Sequence, residues 1–174
     1  MKKSIFVLLV ACLLFAPMAL AGGSGTNTTV TVNATVDQFF EWRDSDPSIT
    51  LANFTAVAQT KGSTVLLTVW TNVGAIITPS TSDGKSGVLT STGSDTLTTE
   101  YKMTGTDLGA TADVAWKSSG VGGTFITGNT YTLQQVDGTG VYTMTVNAQA
   151  TTSAAKANDE GSYTCQVVLT ATWS

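Results

Sequence analysis

The constraint that bears hardest on this chain is a two-residue period. In residues 162–173 the odd positions are Tyr163, Cys165, Val167, Leu169, Ala171 and Trp173, all apolar or aromatic. The even positions are Ser162, Thr164, Gln166, Val168, Thr170 and Thr172, almost wholly hydroxyl or amide. Successive side chains of a strand point to opposite faces, so this stretch has one dry face and one wet one. No segment of helix length carries a 3.6-residue period.

The same period recurs upstream. Residues 28–36 read TTVTVNATV, with Val30, Val32, Ala34 and Val36 on one face. Residues 63–73, STVLLTVWTNV, are apolar on both faces near their middle, as a central strand would be. Shorter candidates cover 97–103, 113–117 around Trp116, and 131–136. In 141–150, Tyr142, Met144, Val146, Ala148 and Ala150 face one way, and Asp137-Gly138-Thr139-Gly140 before them is a hairpin-turn composition. Threonine, 33 of 174 residues, suits the outer face because β-branching favours extended backbone. Seven or more short strands joined by Gly, Ser, Asp and Asn predict an all-β chain, a single antiparallel β-sandwich.

Residues 1–21 have the layout of a secretory signal. Lys2 and Lys3 precede an almost wholly apolar stretch, and Ala19-Leu20-Ala21 is a small-x-small cleavage site. The rivals are a membrane anchor, for which the run is short, and lipoprotein processing at Cys12. Removing the signal takes away two of the eight basic residues and none of the twelve acidic ones. Six unclustered basic residues cannot neutralise a phosphate backbone, so nucleic acid is not expected as a partner. The chain has no histidine, which excludes Ser-His-Asp and Cys-His catalysis and His-ligated metals. No catalytic residues, cofactor or metal are expected, and no membrane span follows the signal. Only Cys165 is left, so the domain has no internal disulfide.

Two features at the end of the sequence go beyond a generic sandwich. Trp173 is penultimate, and Gly161 stands fourteenth from the end, just before the alternating strand. This pattern resembles the closing signature of bacterial pilus subunits assembled by the chaperone–usher route. Glu160-Gly161-Ser162-Tyr163 followed by alternation is similar to the last strand of spore-coat-protein-U-like secreted subunits. The chain departs from them in lacking the disulfide that joins early strands in many such subunits, and Phe39 or Phe40 with Trp70 stands in for it. The resemblance implies an immunoglobulin-like or pilin-like Greek key, short of one strand and completed by a donor strand from a neighbour. It divides the chain into a signal (1–21), an N-terminal extension or first strand (22–36), and a sandwich (37–174). The donor residues would be Val30, Val32, Ala34 and Val36. Alternation reads the same if they form the domain's own first strand. The C-terminal assembly residues would be Gly161, Tyr163, Val167, Leu169, Ala171 and Trp173. The partners implied are copies of the chain or related subunits, with a periplasmic chaperone and an outer-membrane usher, and the location is the cell surface or beyond.

Asp159, Gly161, Tyr163 and Cys165 also fit the immunoglobulin pattern in which a tyrosine hydroxyl ties a loop to its strand. Cys165 reads as a small core residue, with a disulfide between subunits as the alternative. Asp44, Asp46 and Asp83 read as turn formers rather than calcium ligands. Trp42 and Trp70 read as core. Trp116, between Gly-rich loops, is the best exposed candidate for contact with a sugar ring. The expected function is a secreted structural subunit of a pilus, fibre or surface coat, not an enzyme. The alternative is an extracellular carbohydrate-binding or adhesive domain.

Overall fold

A computed structural model of the chain describes residues 28, 30–134 and 140–173. Residues 1–21, expected to be a signal, residues 22–27, Thr29, residues 135–139 with the expected turn, and Ser174 lie outside the described residues. The chain divides into two units, Met1–Thr35 and Val36–Ser174. In the first, the described residues form no strand, and Val30, Val32 and Ala34 are exposed.

The second unit is all-β and antiparallel. Its centre is the pair β2 (Thr60–Thr71) and β8 (Val141–Thr151), in register from Thr60↔Thr151 to Trp70↔Val141. β5 (Thr98–Thr104) lies on the far side of β8, and β6 (Lys117–Ser118) closes that edge. β1 (Phe40–Trp42) pairs only with Val69–Thr71, the last part of β2. The order of this sheet is β1-β2-β8-β5-β6. A second sheet runs β10-β3-β7, from Val168–Thr172, Ala75–Ser80 and Tyr131–Leu133. Pro79 sits in its middle strand but past Ile77, where the pairing with β7 stops, so the missing N–H breaks no bond there. β4 (Thr90–Ser91) and β9 (Tyr163–Thr164) form a small third pair.

One core is shared by both larger sheets. Leu67, Val69, Met103, Tyr142, Met144 and Val146 come from the first; Ala75, Ile77, Tyr131 and Leu133 come from the second. Leu108, in the 3₁₀ segment Thr106–Thr111, and Phe125 fill the space between. Tyr142, Met144, Val146, Ala148 and Ala150 all point inward and are buried, whereas the residues alternating with them are exposed or half-buried.

Several expected strands differ. Residues 30–36 form no strand, and the first strand starts at Phe40. The stretch 162–173 is broken: β9 ends at Thr164 and pairs with β4, whereas β10 starts at Val168 and pairs with β3. Of 113–117 only Lys117 is in a strand, because Asp113 is held by Met103 and Lys117 in a turn. Of 131–136, Tyr131–Leu133 is strand and Gln134 is not. Trp70 is not core: Leu67, Val69 and Thr71 take the inward positions, leaving Trp70 42% exposed beneath Arg43, whose guanidinium lies 3.9 Å from the ring centre.

Candidate functional site

The two larger sheets leave an open edge side by side. Arg43 N–H donates to the Thr68 carbonyl at 3.0 Å, and Asn72 N–H to the Phe39 carbonyl at 3.4 Å. The backbone groups of Thr68 and Asn72 therefore point to the β1 side of β2. The two-residue period carries the same direction to Leu66, Thr64, Gly62 and Thr60. At Asp44 the chain turns away, its carboxylate taking the Thr68 N–H. Among the described residues nothing pairs with β2 on that side from Thr60 to Leu66. β10, at the edge of its own sheet, is likewise paired only with β3.

Between these edges runs a groove of about 1810 Å³. Val65, Leu67, Leu97, Tyr101, Val146 and Ala148 line it from the core side. Ile49, Leu51 and Phe54, in a segment without strand pairing, line one flank; Cys165, Val167 and Leu169 line another. Burial records the opening. Thr71, Val69 and Leu67 are fully covered, but the next inward residue of β2, Val65, is only half-buried. Tyr163, Cys165, Val167, Leu169 and Ala171 are half-buried too. The volume exceeds the ~300–1,000 Å³ of small-molecule sites and suits an extended peptide better than a compact ligand.

The rim is braced by a carboxylate hub. Asp95 accepts from Asn158 Nδ2 at 2.8 Å, the Asp159 N–H at 3.0 Å and Lys156 Nζ at 3.1 Å. The Tyr163 hydroxyl lies 2.7 Å from the same carboxylate and 2.9 Å from the Asp159 carbonyl four residues upstream, sharing one proton between two acceptors. This is the tyrosine-corner contact the sequence pattern suggests. These donors, the Asn158 amide foremost, hold Asp95 well below the usual carboxylate range. Desolvation and the neighbouring Asp95 push Tyr163 up to about 12. Sequence reasoning missed Asp95, because nothing in Gly-Ser-Asp-Thr marks it as more than a turn.

Gly161 enters that corner with φ +131, a backbone conformation strained for any residue with a side chain. Cys165 is half-buried; its thiol lies 3.1 Å from the Tyr101 hydroxyl, which donates to the Gly87 carbonyl at 2.7 Å. Burial pushes this thiol up, as expected of an inert packed residue. Trp173 stacks on Phe40, ring centres 5.4 Å apart and 12° from parallel, and Phe40 meets Trp42 edge-on. These three rings tie the end of β10 to β1. Trp116 is 37% exposed, with Lys102 Nζ 5.2 Å from its ring centre. Trp116 and Trp70 thus each carry a cation over one face, and neither is a bare platform.

Among the described residues no group of three or more acidic or cysteine side chains is placed to hold a metal. No described helix is long and apolar enough to cross a membrane. No family model, curated protein or solved structure matches this chain.

Proposed function

We propose that the chain is a secreted structural subunit of a pilus, fibre or surface coat, an incomplete antiparallel sandwich that assembles by strand complementation. The single observation that carries this reading is the unpaired edge of β2 from Thr60 to Leu66, beside a half-covered apolar groove. A free edge with an apolar floor is a template for an added strand: backbone groups give affinity and alternate side chains give register. The strand offered is that of residues 25–36 of another copy, whose Val30, Val32, Ala34 and Val36 recur at the spacing of one strand face. The acceptor side is Val167 and Leu169 with Val65 and Leu67; Gly161 and Tyr163 hold that wall, and Ala171 and Trp173 continue the same strand face beyond the groove, Trp173 against Phe40. The signal-like residues 1–21 support export, through the periplasm and with a chaperone and usher where the cell has them.

The test is deletion of residues 22–36 behind an intact signal. Wild-type protein from the cell surface should show filaments by negative-stain microscopy and a gel ladder that collapses only on boiling. The deletion should give exported monomer without either. A deletion variant that polymerises normally sinks the proposal.

A further inference from the structure

Away from the groove, at the opposite edge of the first sheet, four polar side chains close a ring. Lys117 Nζ lies 2.6 Å from Asp113 Oδ1 and donates to Asn129 Oδ1 at 2.7 Å. Asn129 Nδ2 lies 2.5 Å from the Tyr131 hydroxyl, which donates in turn to Asp113 Oδ2 in a very short contact. The Asp113 side chain is only 2% exposed, and its Oδ2 also accepts the Met103 N–H at 2.9 Å. Phe125 and the ring of Tyr131, both fully buried, exclude water from one side.

An amine, a carboxamide carbon and a carboxylate so arranged are the complete set for amide exchange. A C=O bond is about 1.2 Å long, so Asn129 Cγ is no more than about 3.9 Å from Nζ. That is a small swing of a four-carbon stem from the roughly 3–3.5 Å of a near-attack geometry. We propose that Lys117 and Asn129 join in an intramolecular isopeptide bond, Nζ to Cγ, with Asp113 as the proton carrier.

The step balances without an outside reagent. Asp113 takes a proton from the Lys117 ammonium, leaving a neutral amine. The Nζ lone pair attacks Cγ, and the carbonyl electron pair moves to Oδ1. A second proton leaves Nζ, the Cγ–Nδ2 bond breaks as the carbonyl re-forms, and both protons end on the departing nitrogen, which leaves as ammonium. The Tyr131 hydroxyl bridges Asp113 and Nδ2 and so offers the path for those protons. Desolvation holds Tyr131 far above the usual phenol range, so it stays protonated for this task. The product is a covalent tie between β6 of the first sheet and the loop that enters β7 of the second, two residues before Tyr131. It would supply what an internal disulfide supplies elsewhere, in a chain whose described residues hold one free cysteine.

Intact-mass measurement of the purified mature protein tests this. The expected result is a mass one ammonia below that of the sequence. Trypsin should fail to cut after Lys117, and chymotrypsin should release a branched peptide containing Lys117 and Asn129. Lys117→Met, Asn129→Ala and Asp113→Ala should each restore the full mass, the last although both reacting residues remain. Should Asp113→Ala not fold, the wild-type mass and branched peptide still decide. A folded wild-type protein of full mass overturns the proposal. So does an ammonia loss confined to Asn129 with Lys117 still cleaved, which is a cyclic imide and not a cross-link.

Discussion

Val32→Asp separates assembly from folding. Val32 is 86% exposed, and its face-mates Val30 and Val36 are 79% and 78% exposed. A substitution at so open a site changes the stability of the unassembled domain by no more than about 0.5 kcal/mol. In a groove the same side chain contributes about 1.5–3 kcal/mol by burial, and the three valines together about 4–9 kcal/mol. Losing Val32 alone therefore weakens subunit association roughly 10- to 100-fold, before the cost of burying an unpaired carboxylate is added. Val114→Asp is the control, since Val114 is 97% exposed and lies in neither the groove nor residues 25–36. Urea denaturation of unassembled protein should give the same midpoint for wild type and both variants. The boiling-sensitive ladder and the filaments should vanish for Val32→Asp alone. Normal polymer from Val32→Asp refutes the reasoning. A fall of several kcal/mol in the stability of the unassembled variant refutes it as well, by placing Val32 inside its own domain.

Three further outcomes follow from the packing and the electrostatics. Met144→Ala, at a fully buried position on β8, should cost about 2–5 kcal/mol in urea denaturation. Trp173→Ala and Phe40→Ala should each destabilise the fold, with a coupling of about 0.5–1.5 kcal/mol in a double-mutant cycle for the stacked pair. The Asp95 hub should shape the pH profile at both ends. Asp95 is depressed below its usual 3.8, so its contribution is complete above about pH 5 and is lost as pH falls from there. Tyr163 is raised from 10.0 to about 12, so its contribution holds below pH 10 and is lost as pH climbs between those values. Asp95→Asn should flatten the acid limb and Tyr163→Phe the alkaline one. Unchanged limbs would remove the hub from the account.

Alternation was legible where one face of a strand is apolar and the other polar, as in β8, whose inward set reads directly from the sequence. Phase was not legible in residues 63–73, where apolar residues occupy both faces. There the choice fell to Thr71, a polar residue that can be buried because its hydroxyl donates to the Phe39 and Val73 carbonyls, and Trp70 was turned outward. Nor does alternation name a hydrogen-bond partner. Tyr163, Cys165, Val167, Leu169 and Ala171 share a face through a break in the strand, so the period survives while the pairing passes from β4 to β3. The tyrosine corner was visible as spacing, since its partner is four residues away. The Asp113, Lys117, Asn129 and Tyr131 ring was invisible, because its members come together only when the two sheets do.

The two edges of the first sheet are treated in opposite ways, and that asymmetry argues for assembly. At the β6 edge the strand is two residues long, and Lys117, Asp113 and Asn129 tie it to the neighbouring sheet. That is a closed edge, short and charged, of the kind that prevents stray pairing. The β2 edge has none of this from Thr60 to Leu66 beyond a single Lys61: no proline, no acidic residue and, among the described residues, no covering strand. Its inward side chains lose their cover from Leu67 to Val65, where the groove begins. A monomer gains nothing from leaving its longest strand open along an apolar floor and would be exposed to aggregation there. The arrangement becomes favourable when a specific segment arrives to fill it, and the exposed valines of residues 30–36 have the period to do so.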